Sequence, residues 1–248
     1  MWSVRQRLVW FACLGWLTLT TSSCHSPTSV DEPVQGVVLQ GIDISHHNID
    51  AYAPIDWQQV RTDGYTFAFV KATDGYNSCW TDPTFTTNIE HGHTAGLFMG
   101  AYHYARPDLN QDATVEAECF LRVAGQYLTG GYLRPVLDIE TGAELGKTAL
   151  SNWVQVWMTT IKNRTGIEPI LYTSSNFTRN FDVALTQYHL WLAHYTGDVN
   201  IPPDPGIWAT WDFWQYTDTG KVPGVSDPTI DLNLFNGDLA RLQREFVI

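Results

Sequence analysis

A pair of carboxylic acids, Asp138 and Glu140, interrupts a short apolar segment at residues 136–140 (VLDIE). In a β-strand, side chains two positions apart share one face and lie about 6.5 Å apart along the chain. Flexible carboxyl groups at this spacing can approach the separation of roughly 5–5.5 Å that is typical of retaining glycosidases. In such a pair one carboxyl keeps a proton and donates it to a leaving oxygen, while the other stays ionised. We assign the proton to the longer Glu140, and the pair predicts acid-catalysed cleavage of a glycosidic bond.

The same alternation of acids with aliphatic residues recurs at residues 41–45 (GIDIS) and 231–235 (DLNLF). In each segment the aliphatic side chains share one face, and the acids or amides share the other. In a β/α barrel the aliphatic face packs under the helices, while the other face points into the barrel toward its catalytic mouth. We therefore expect four acids to converge there: Asp43, Asp138, Glu140 and Asp231. The alternative interpretation is that these acids cap loops or pair with Lys71.

Strand-like and helix-like patterns alternate along the chain from about Val37 onward. Apolar runs predict eight strands, at residues 37–45, 67–72, 98–105, 135–140, 169–174, 189–195, 213–217 and 230–235. Periodic apolar patterns predict helices at residues 83–95, 112–127 and 148–165. Strands separated by helices of this length indicate βαβ units and a parallel sheet. The pattern therefore predicts an α/β fold, a closed but irregular β/α barrel whose helices lie mainly in its first part.

The composition excludes several classes of protein. With 14 Lys and Arg against 26 Asp and Glu, the 248-residue chain has a formal net charge of −12. That charge argues against a nucleic-acid partner, because affinity for phosphate backbones comes from clustered basic residues. A hydrophobic content of 44% with 16% charged residues is typical of a folded globular protein rather than a disordered one.

The N-terminus has the three parts of an export signal. Arg5 and Arg7 precede an apolar run at residues 8–19, and small polar residues follow at 20–23. We expect residues 1–23 to be removed and Cys24 to become the lipidated first residue of an envelope lipoprotein, or the chain to be secreted freely. Residues 24–36 then form a tether, and residues 37–248 the catalytic domain.

Two cysteines remain once the signal and the lipidated residue are set aside. Cys79 and Cys119 are a possible disulfide, since an exported protein reaches an oxidising compartment. The histidines at 46–47 and 91–93 resemble metal ligands only superficially, because no acid partner accompanies them at helical spacing. We expect no metal and no other cofactor.

Nine segments resemble glycoside hydrolase family 25, the Chalaropsis-type lysozymes, and they occur in order over residues 39–237. They are GIDIS (41–45), IDW (55–57), VKATDG (70–75), GAYHYA (100–105), VLDIE (136–140), LYT (171–173), LWLAHY (190–195), FWQY (213–216) and DLNLF (231–235). Each motif alone is weak, whereas nine in register are specific. One departure is visible, because the family commonly has Glu at the position of Asp74.

The resemblance implies a flattened, TIM-like barrel of eight strands and about five helices. It also implies cleavage of the β-1,4 bond after N-acetylmuramic acid in peptidoglycan, with retention. Matched by motif, Glu140 is the acid/base and Asp138 the second catalytic carboxylate, which either attacks C1 or orients the substrate's acetamido group. Further substrate contacts are expected from Asp43, Asp231, Lys71, Tyr102, Trp191, Tyr195 and Gln215. We expect about half of the aromatic residues Trp191, Tyr195, Trp214 and Tyr216 to line the cleft.

Two other functions remain open at this point. One is a catalytically silent lipoprotein that binds the wall through the same cleft, which the presence of all four acids disfavours. The other is a chitinase-like glycosidase, whose longer acidic strand motif is not matched by Pro135 and Val136. The partners we expect are therefore peptidoglycan glycan strands, together with a membrane contacted only through a lipid anchor. We expect a monomer.

Overall fold

The computed structural model describes residues 38–48, 53–196 and 198–248. The predicted signal at residues 1–23, the lipidation site Cys24 and the tether at 24–36 lie outside the described residues. Residues 38–248 belong to one compact unit. None of the described helices is both long enough and apolar enough to cross a membrane.

Nine strands and five α-helices make up the described part of the chain. The strands are β1 (Leu39–Ile44), β2 (Phe67–Asp74), β3 (Trp80–Thr81), β4 (Phe98–Tyr104), β5 (Val136–Asp138), β6 (Ile170–Ser174), β7 (Leu190–Ala193), β8 (Phe213–Gly220) and β9 (Ile230–Phe235). The helices are α1 (Trp57–Thr62), α2 (Phe85–Thr94), α3 (Ala113–Ala124), α4 (Lys147–Thr165) and α5 (Leu239–Glu245). All eight predicted strands and the three predicted helices are confirmed to within a few residues. The short elements α1, α5 and β3 were not predicted, because segments of two to seven residues carry too little periodicity.

Eight strands close into a barrel in the order β1, β2, β4, β5, β6, β7, β8, β9, which confirms the predicted fold class. The closure comes from β1, which pairs in parallel with β2 and antiparallel with β9. The short β3 adds to the edge of β2 outside the barrel.

The expectation of a parallel sheet is wrong for the last strand. β9 runs antiparallel to both of its neighbours. Residues 221–229, which connect β8 to β9, are too few for a helical crossover, and a parallel connection needs about a dozen residues or more. The start of β9, rather than its end, therefore reaches the mouth of the barrel.

The aliphatic faces of the strands pack outward, as predicted. Ile42, Ile44, Leu137 and Ile139 belong to the buried layer between the sheet and the helices, together with Trp157 of α4. Helix α4 ends at Thr165, and the next residue, Gly166, has a positive φ of 76° that gives the left-handed C-terminal cap glycine adopts without strain. This layer holds the strands so that their alternate side chains point into the barrel.

Aromatic rings fill the interior of the barrel below the mouth. Phe69 stacks on Trp191 with ring centroids 4.5 Å apart and meets Phe213 edge-on at 5.3 Å. Gly100 lies where a Cβ would come within 2.6 Å of the Phe69 ring, so the ring requires glycine there. From α5 and the residue that follows it, Leu242 and Phe246 join the same cluster. The interior of the barrel is therefore a packed core closed at its floor, and the inward-facing acids lie at its mouth.

Cys79 and Cys119, the pair predicted from the sequence, are bonded in the structure. Cys79 precedes β3, Cys119 lies in α3, and their Cα atoms are 5.6 Å apart. The bond joins the β2–β3 hairpin to a helix behind the barrel, across 40 positions of sequence.

We predict that this disulfide forms under oxidising conditions and stabilises the domain. A loop of this length corresponds to about 2–4 kcal/mol of stabilisation. Reduction with dithiothreitol should therefore lower the thermal midpoint by about 4–15 °C for a domain of this size. The Cys79→Ser/Cys119→Ser double variant serves as the control, because its midpoint should already be low and should not respond to reductant. A wild-type midpoint that is unaffected by reductant would contradict the prediction.

Candidate active site

A cavity of about 440 Å³ opens at the mouth of the barrel, where the parallel strands end and β9 begins. Nine of its lining residues are those predicted from sequence: Asp43, Lys71, Tyr102, Asp138, Glu140, Trp191, Tyr195, Gln215 and Asp231. Five more lining residues were not predicted: Ser45, His47, Asp74, Tyr104 and Tyr172. Tyr104 lies two positions after Tyr102 in β4, so the alternation of side chains along a strand could have predicted that it faces the cavity.

Asp138 and Glu140 lie together at the mouth because the residue between them points the other way. Ile139 packs outward, and its N–H donates to the carbonyl of Tyr172 at 3.0 Å. The carbonyl of Asp138 accepts from the N–H of Ala105 at 2.8 Å. These backbone bonds hold the segment extended between β4 and β6, so both carboxyl groups face the cavity.

Asp138 is the more deeply buried acid of the pair. It is 7% exposed, whereas Glu140 is half-buried. Among the described residues, none donates a hydrogen bond to Asp138 Oδ1. Burial, followed by the nearby Glu140, raises the pKa of Asp138 well above its usual value. Burial and then Asp43 raise the pKa of Glu140 as well.

The relative burial of the two acids does not support the sequence-based assignment of the proton to Glu140. That assignment rests on the length of the Glu140 side chain. A carboxyl in a more apolar setting also keeps its proton more readily. In the structure that setting belongs to Asp138, so burial alone does not select Glu140. Any assignment of Glu140 as the acid must rest on its position.

Asp43, at 6% exposed, is held by two amide groups. Gln215 Nε2 and Asn233 Nδ2 both donate to Asp43 Oδ2, each at 2.8 Å. The hydroxyl of Tyr195 donates to Gln215 Oε1 at 2.7 Å, and the indole N–H of Trp191 donates to Asn233 Oδ1 at 2.8 Å. Since the amide oxygens are occupied by donors, the amide N–H groups must face Asp43, which is therefore an acceptor.

Asp231 lies directly opposite Asp43 in the antiparallel pairing of β9 with β1. Like charges at opposite positions of a sheet destabilise each other. Burial and then Asp43 raise the pKa of Asp231 to about 9, whereas burial raises the pKa of Asp43 to about 6. At neutral pH the pair thus presents one hydrogen-bond donor, Asp231, beside one acceptor, Asp43.

Lys71 is the basic residue among the five carboxylates that line the cavity. Its Nζ lies 2.8 Å from Asp74 Oδ2 and 4.6 Å from the centroid of the Tyr104 ring. A register shift between Lys71 and Thr73 in the β2–β4 pairing turns both Lys71 and Asp74 into the cavity, although they are three positions apart. Asp74, which is shorter than the glutamate common at this position in the family, therefore pairs with Lys71. Lys71 does not form an ion pair with any of the four predicted acids within the described residues.

Half of the four aromatic candidates line the cavity, as expected. Trp191 and Tyr195 do so. Trp214 instead donates through its indole N–H to the carbonyl of His194 at 2.8 Å, and Tyr216 packs against the outer hydrophobic layer. Within residues 38–48, 53–196 and 198–248, no group of three His, Cys, Asp or Glu side chains is arranged to hold a metal ion.

The raised pKa of Asp231 predicts that this acid lowers stability at high pH. Its carboxyl keeps a proton in the folded state up to about pH 9 but ionises near 3.8 when unfolded. Its contribution to stability is therefore complete below pH 4 and is lost as the pH rises toward 9. Asp231→Asn removes this loss and should raise the free energy of unfolding at pH 8 by about 1–3 kcal/mol.

Urea unfolding at two pH values checks this prediction. The gain should shrink below about 0.5 kcal/mol at pH 3, where the carboxyl is largely protonated in both states. Asp63→Asn, at an exposed position outside the cavity, is the control and should change stability little at either pH. A variant that is less stable than wild type at pH 8 would contradict the prediction.

Comparison with known proteins agrees with this geometry. The family model Glycosyl hydrolases family 25 matches residues 42–225. Lysozyme M1 of Streptomyces globisporus is 35% identical over 215 residues, which cover 82% of this chain and 70% of that protein. The crystal structure of the bacterial lysozyme from Streptomyces coelicolor superposes with a TM-score of 0.73 at 33% identity, covering 85% of this chain and 96% of that one. The muramidase from Trichobolus zukalii gives a TM-score of 0.70 at 30% identity, covering 83% and 97%. The barrel, its cleft and these likenesses together show that the chain belongs to glycoside hydrolase family 25.

Proposed function

We propose that this protein is a lysozyme that hydrolyses peptidoglycan at the β-1,4 bond between N-acetylmuramic acid and N-acetylglucosamine, with retention. The observation that carries the proposal is the pair Asp138 and Glu140 on the wall of the cleft in a family 25 barrel. The relatives reported above support the substrate, because their names describe lysozymes and a muramidase.

Glu140 is the acid and base of the proposed reaction. It lines both the main cavity and an adjoining one, whereas Asp138 lines only the main cavity among those described. A glycan that runs along the cleft passes Glu140 where its chain leaves the main cavity. The carboxyl there protonates the glycosidic oxygen and then accepts a proton from the incoming water, a cycle that contributes about 10²–10⁴-fold to such reactions.

Asp138 is the second catalytic carboxylate, and its unpaired Oδ1 is central to the role. A buried acceptor without a donor costs about 1–3 kcal/mol, so Oδ1 is ready for a substrate group. If the substrate's acetamido N–H donates to Oδ1, the ionised form of Asp138 is favoured, and Lys71 favours it further. Substrate binding thereby favours the state in which Asp138 is ionised and Glu140 holds a proton. Direct attack of Asp138 on C1 would use the same oxygen.

Asp43 and Asp231 bind the muramoyl residue. One is an acceptor held by two amides and the other a protonated donor, so together they match the paired donor and acceptor character of sugar hydroxyl and acetamido groups. Tyr102 and Trp191 supply buried apolar surface beside them. A cleft kept only for binding would not require an unpaired buried carboxyl beside a second one, so these features favour turnover over a silent wall-binding role.

The action on the wall is consistent with export. We further propose that residues 1–23 direct export and that Cys24 is lipidated, so that a monomeric enzyme is held in the cell envelope. Mass spectrometry of the mature N-terminus tests the lipid.

Glu140→Gln should greatly slow the release of new reducing ends from purified peptidoglycan, because it removes the transferable proton. Mass spectrometry of wild-type products should show N-acetylmuramic acid at the new reducing ends, and the variant rate should fall by about 10²–10⁴-fold. Glu144→Gln changes an exposed glutamate nearby and should keep wild-type activity. N-acetylglucosamine at the reducing ends, or an active Glu140→Gln enzyme, would refute the assignment. Wall binding without any release by wild type would favour the silent binder.

Retention predicts that the first product formed is the β-anomer. Proton NMR of the anomeric signals, recorded before mutarotation, measures this on a soluble glycan fragment. An α-anomer appearing first would show inversion and would exclude both proposed roles of Asp138.

A further inference from the structure

A hydrogen-bonded network lies on the outer side of the barrel, behind the ends of β2 and β4. Its members are Thr73 of β2, His103 of β4 and Glu116 of α3, and all three are fully buried. Thr73 Oγ1 lies 2.8 Å from His103 Nδ1, and His103 Nε2 lies 2.8 Å from Glu116 Oε2. None of the three is among the residues that line the cavity. Any influence of the network on the reaction must therefore pass through the strands.

Glu116 joins the segments that follow both strands. Its Oε2 accepts from the N–H of Arg106, which lies just after β4, at 3.1 Å. Its Oε1 accepts from Asn110 Nδ2 at 2.6 Å, and the same amide donates to the carbonyl of Gly75 at 2.5 Å. A Cβ at Gly75 would lie 2.2 Å from Glu116 Oε1, so the backbone after β2 lies against the carboxyl only because this residue is glycine. The network thus ties the end of β2 to β4 and α3.

The contact between Thr73 and His103 fits one register of β2. Lys71 and Thr73 pair with consecutive residues of β4, so Ala72 is an extra residue in β2. In an uninterrupted strand Lys71 and Thr73 would share one face, and Asp74 would lie on the other. The bulge reverses this parity, so Thr73 turns outward to His103 and Asp74 turns into the cavity. A bond to Thr73 from outside the barrel therefore stabilises the register that places Asp74 inside it.

The position of Asp74 matters because Lys71 needs a partner. Lys71 is buried, and its Nζ lies 2.8 Å from Asp74 Oδ2. Burial and then Glu140 raise the pKa of Asp138, and Lys71 opposes them, so Lys71 lies within electrostatic reach of the catalytic pair. A buried ammonium is costly without a counter-charge, and the flexible lysine side chain would turn to a catalytic acid if Asp74 were withdrawn. Such an ion pair would occupy a carboxylate that the proposed reaction leaves for the substrate.

We propose that Thr73, His103 and Glu116 are positioning residues of the enzyme. They hold β2 in the bulged register, this register keeps Asp74 on Lys71, and Asp74 keeps Lys71 from pairing with the catalytic acids. The inference rests on the proposed roles of those two acids. It assigns a function to a buried polar network that makes no contact with the cavity.

A double-mutant cycle between Thr73 and Asp74 tests the proposal. Thr73→Val removes the hydroxyl and keeps the branched shape, and it should lower kcat/KM on a soluble glycan fragment by about tenfold or more, since small displacements in a site are costly. Asp74→Ala should cause a similar loss, because Lys71 loses its partner. In the Asp74→Ala enzyme, Thr73→Val should cost less than about twofold more, because residues that act through one another are not additive. Losses that multiply in the double variant, or full activity of either single variant, would overturn the proposal.

Three further variants separate positioning from packing. Thr73→Ser keeps the hydroxyl and should stay within about twofold of wild type, whereas a packing role would favour valine, which keeps the methyl group. Thr62→Val removes a hydroxyl at an exposed position on α1 and should behave as wild type. Asn110→Ala breaks the half-buried link between Glu116 and Gly75 and replaces Thr73→Val if that variant fails to fold. Its loss should also disappear in the Asp74→Ala enzyme, and a loss that persists there would overturn the proposal.

A crystal structure of the Thr73→Val enzyme, or of Asn110→Ala in its place, separates this inference from the proposed function, because it requires no turnover. The Asp74 carboxyl should have left Lys71, and Lys71 Nζ should lie within about 4 Å of a carboxyl oxygen of a catalytic acid. An unchanged pair of Lys71 with Asp74 would overturn the inference even if wild type is an active lysozyme. Failure of the proposed function would instead appear as wild-type enzyme that releases no reducing ends.

Discussion

The antiparallel pairing of β9 with β1 is the constraint on which the cleft depends. It closes the sheet, so the barrel has no open edge between its first and last strands. It also reverses the direction of the last strand, which brings Asp231 opposite Asp43 at the mouth instead of burying it at the floor. Had β9 run parallel, its acid would lie at the end occupied by α5 and the aromatic core. The donor and acceptor pair of the site is thus a product of strand direction.

The placement of Asp43 shows how the core orders the site. Tyr172 and Tyr195 both donate to Gln215 Oε1, at 2.9 and 2.7 Å, and an amide oxygen cannot donate in return. The amide N–H of Gln215 must then point at Asp43. Tyr172 and Trp191 belong to the hydrophobic cluster inside the barrel. Packing of these rings therefore determines the orientation of the amides, and the amides determine which oxygen of Asp43 is left for a ligand.

The site concentrates negative charge that the fold does not neutralise. Five carboxylates meet one lysine, and that lysine is paired with Asp74. Burial and mutual repulsion raise the pKa values of Asp138, Glu140 and Asp231. Some of these acids consequently hold protons near neutral pH, which is the condition for one carboxyl to donate while a neighbour accepts. The same arrangement lowers stability, as expected where activity requires a strained polar site.

The sequence by itself determined the fold class and most of the cleft. Alternation of acids with aliphatic residues in β1, β5 and β9 was enough to place Asp43, Asp138 and Asp231 on the inward face, because side-chain direction in a strand depends only on parity. Tertiary structure alone decided the direction of β9, the burial of Asp138 relative to Glu140 and the pairing of Lys71 with Asp74. Each of these depends on contacts between segments far apart in the chain, on a register shift or on the depth of a side chain below the surface. Local periodicity contains none of that information.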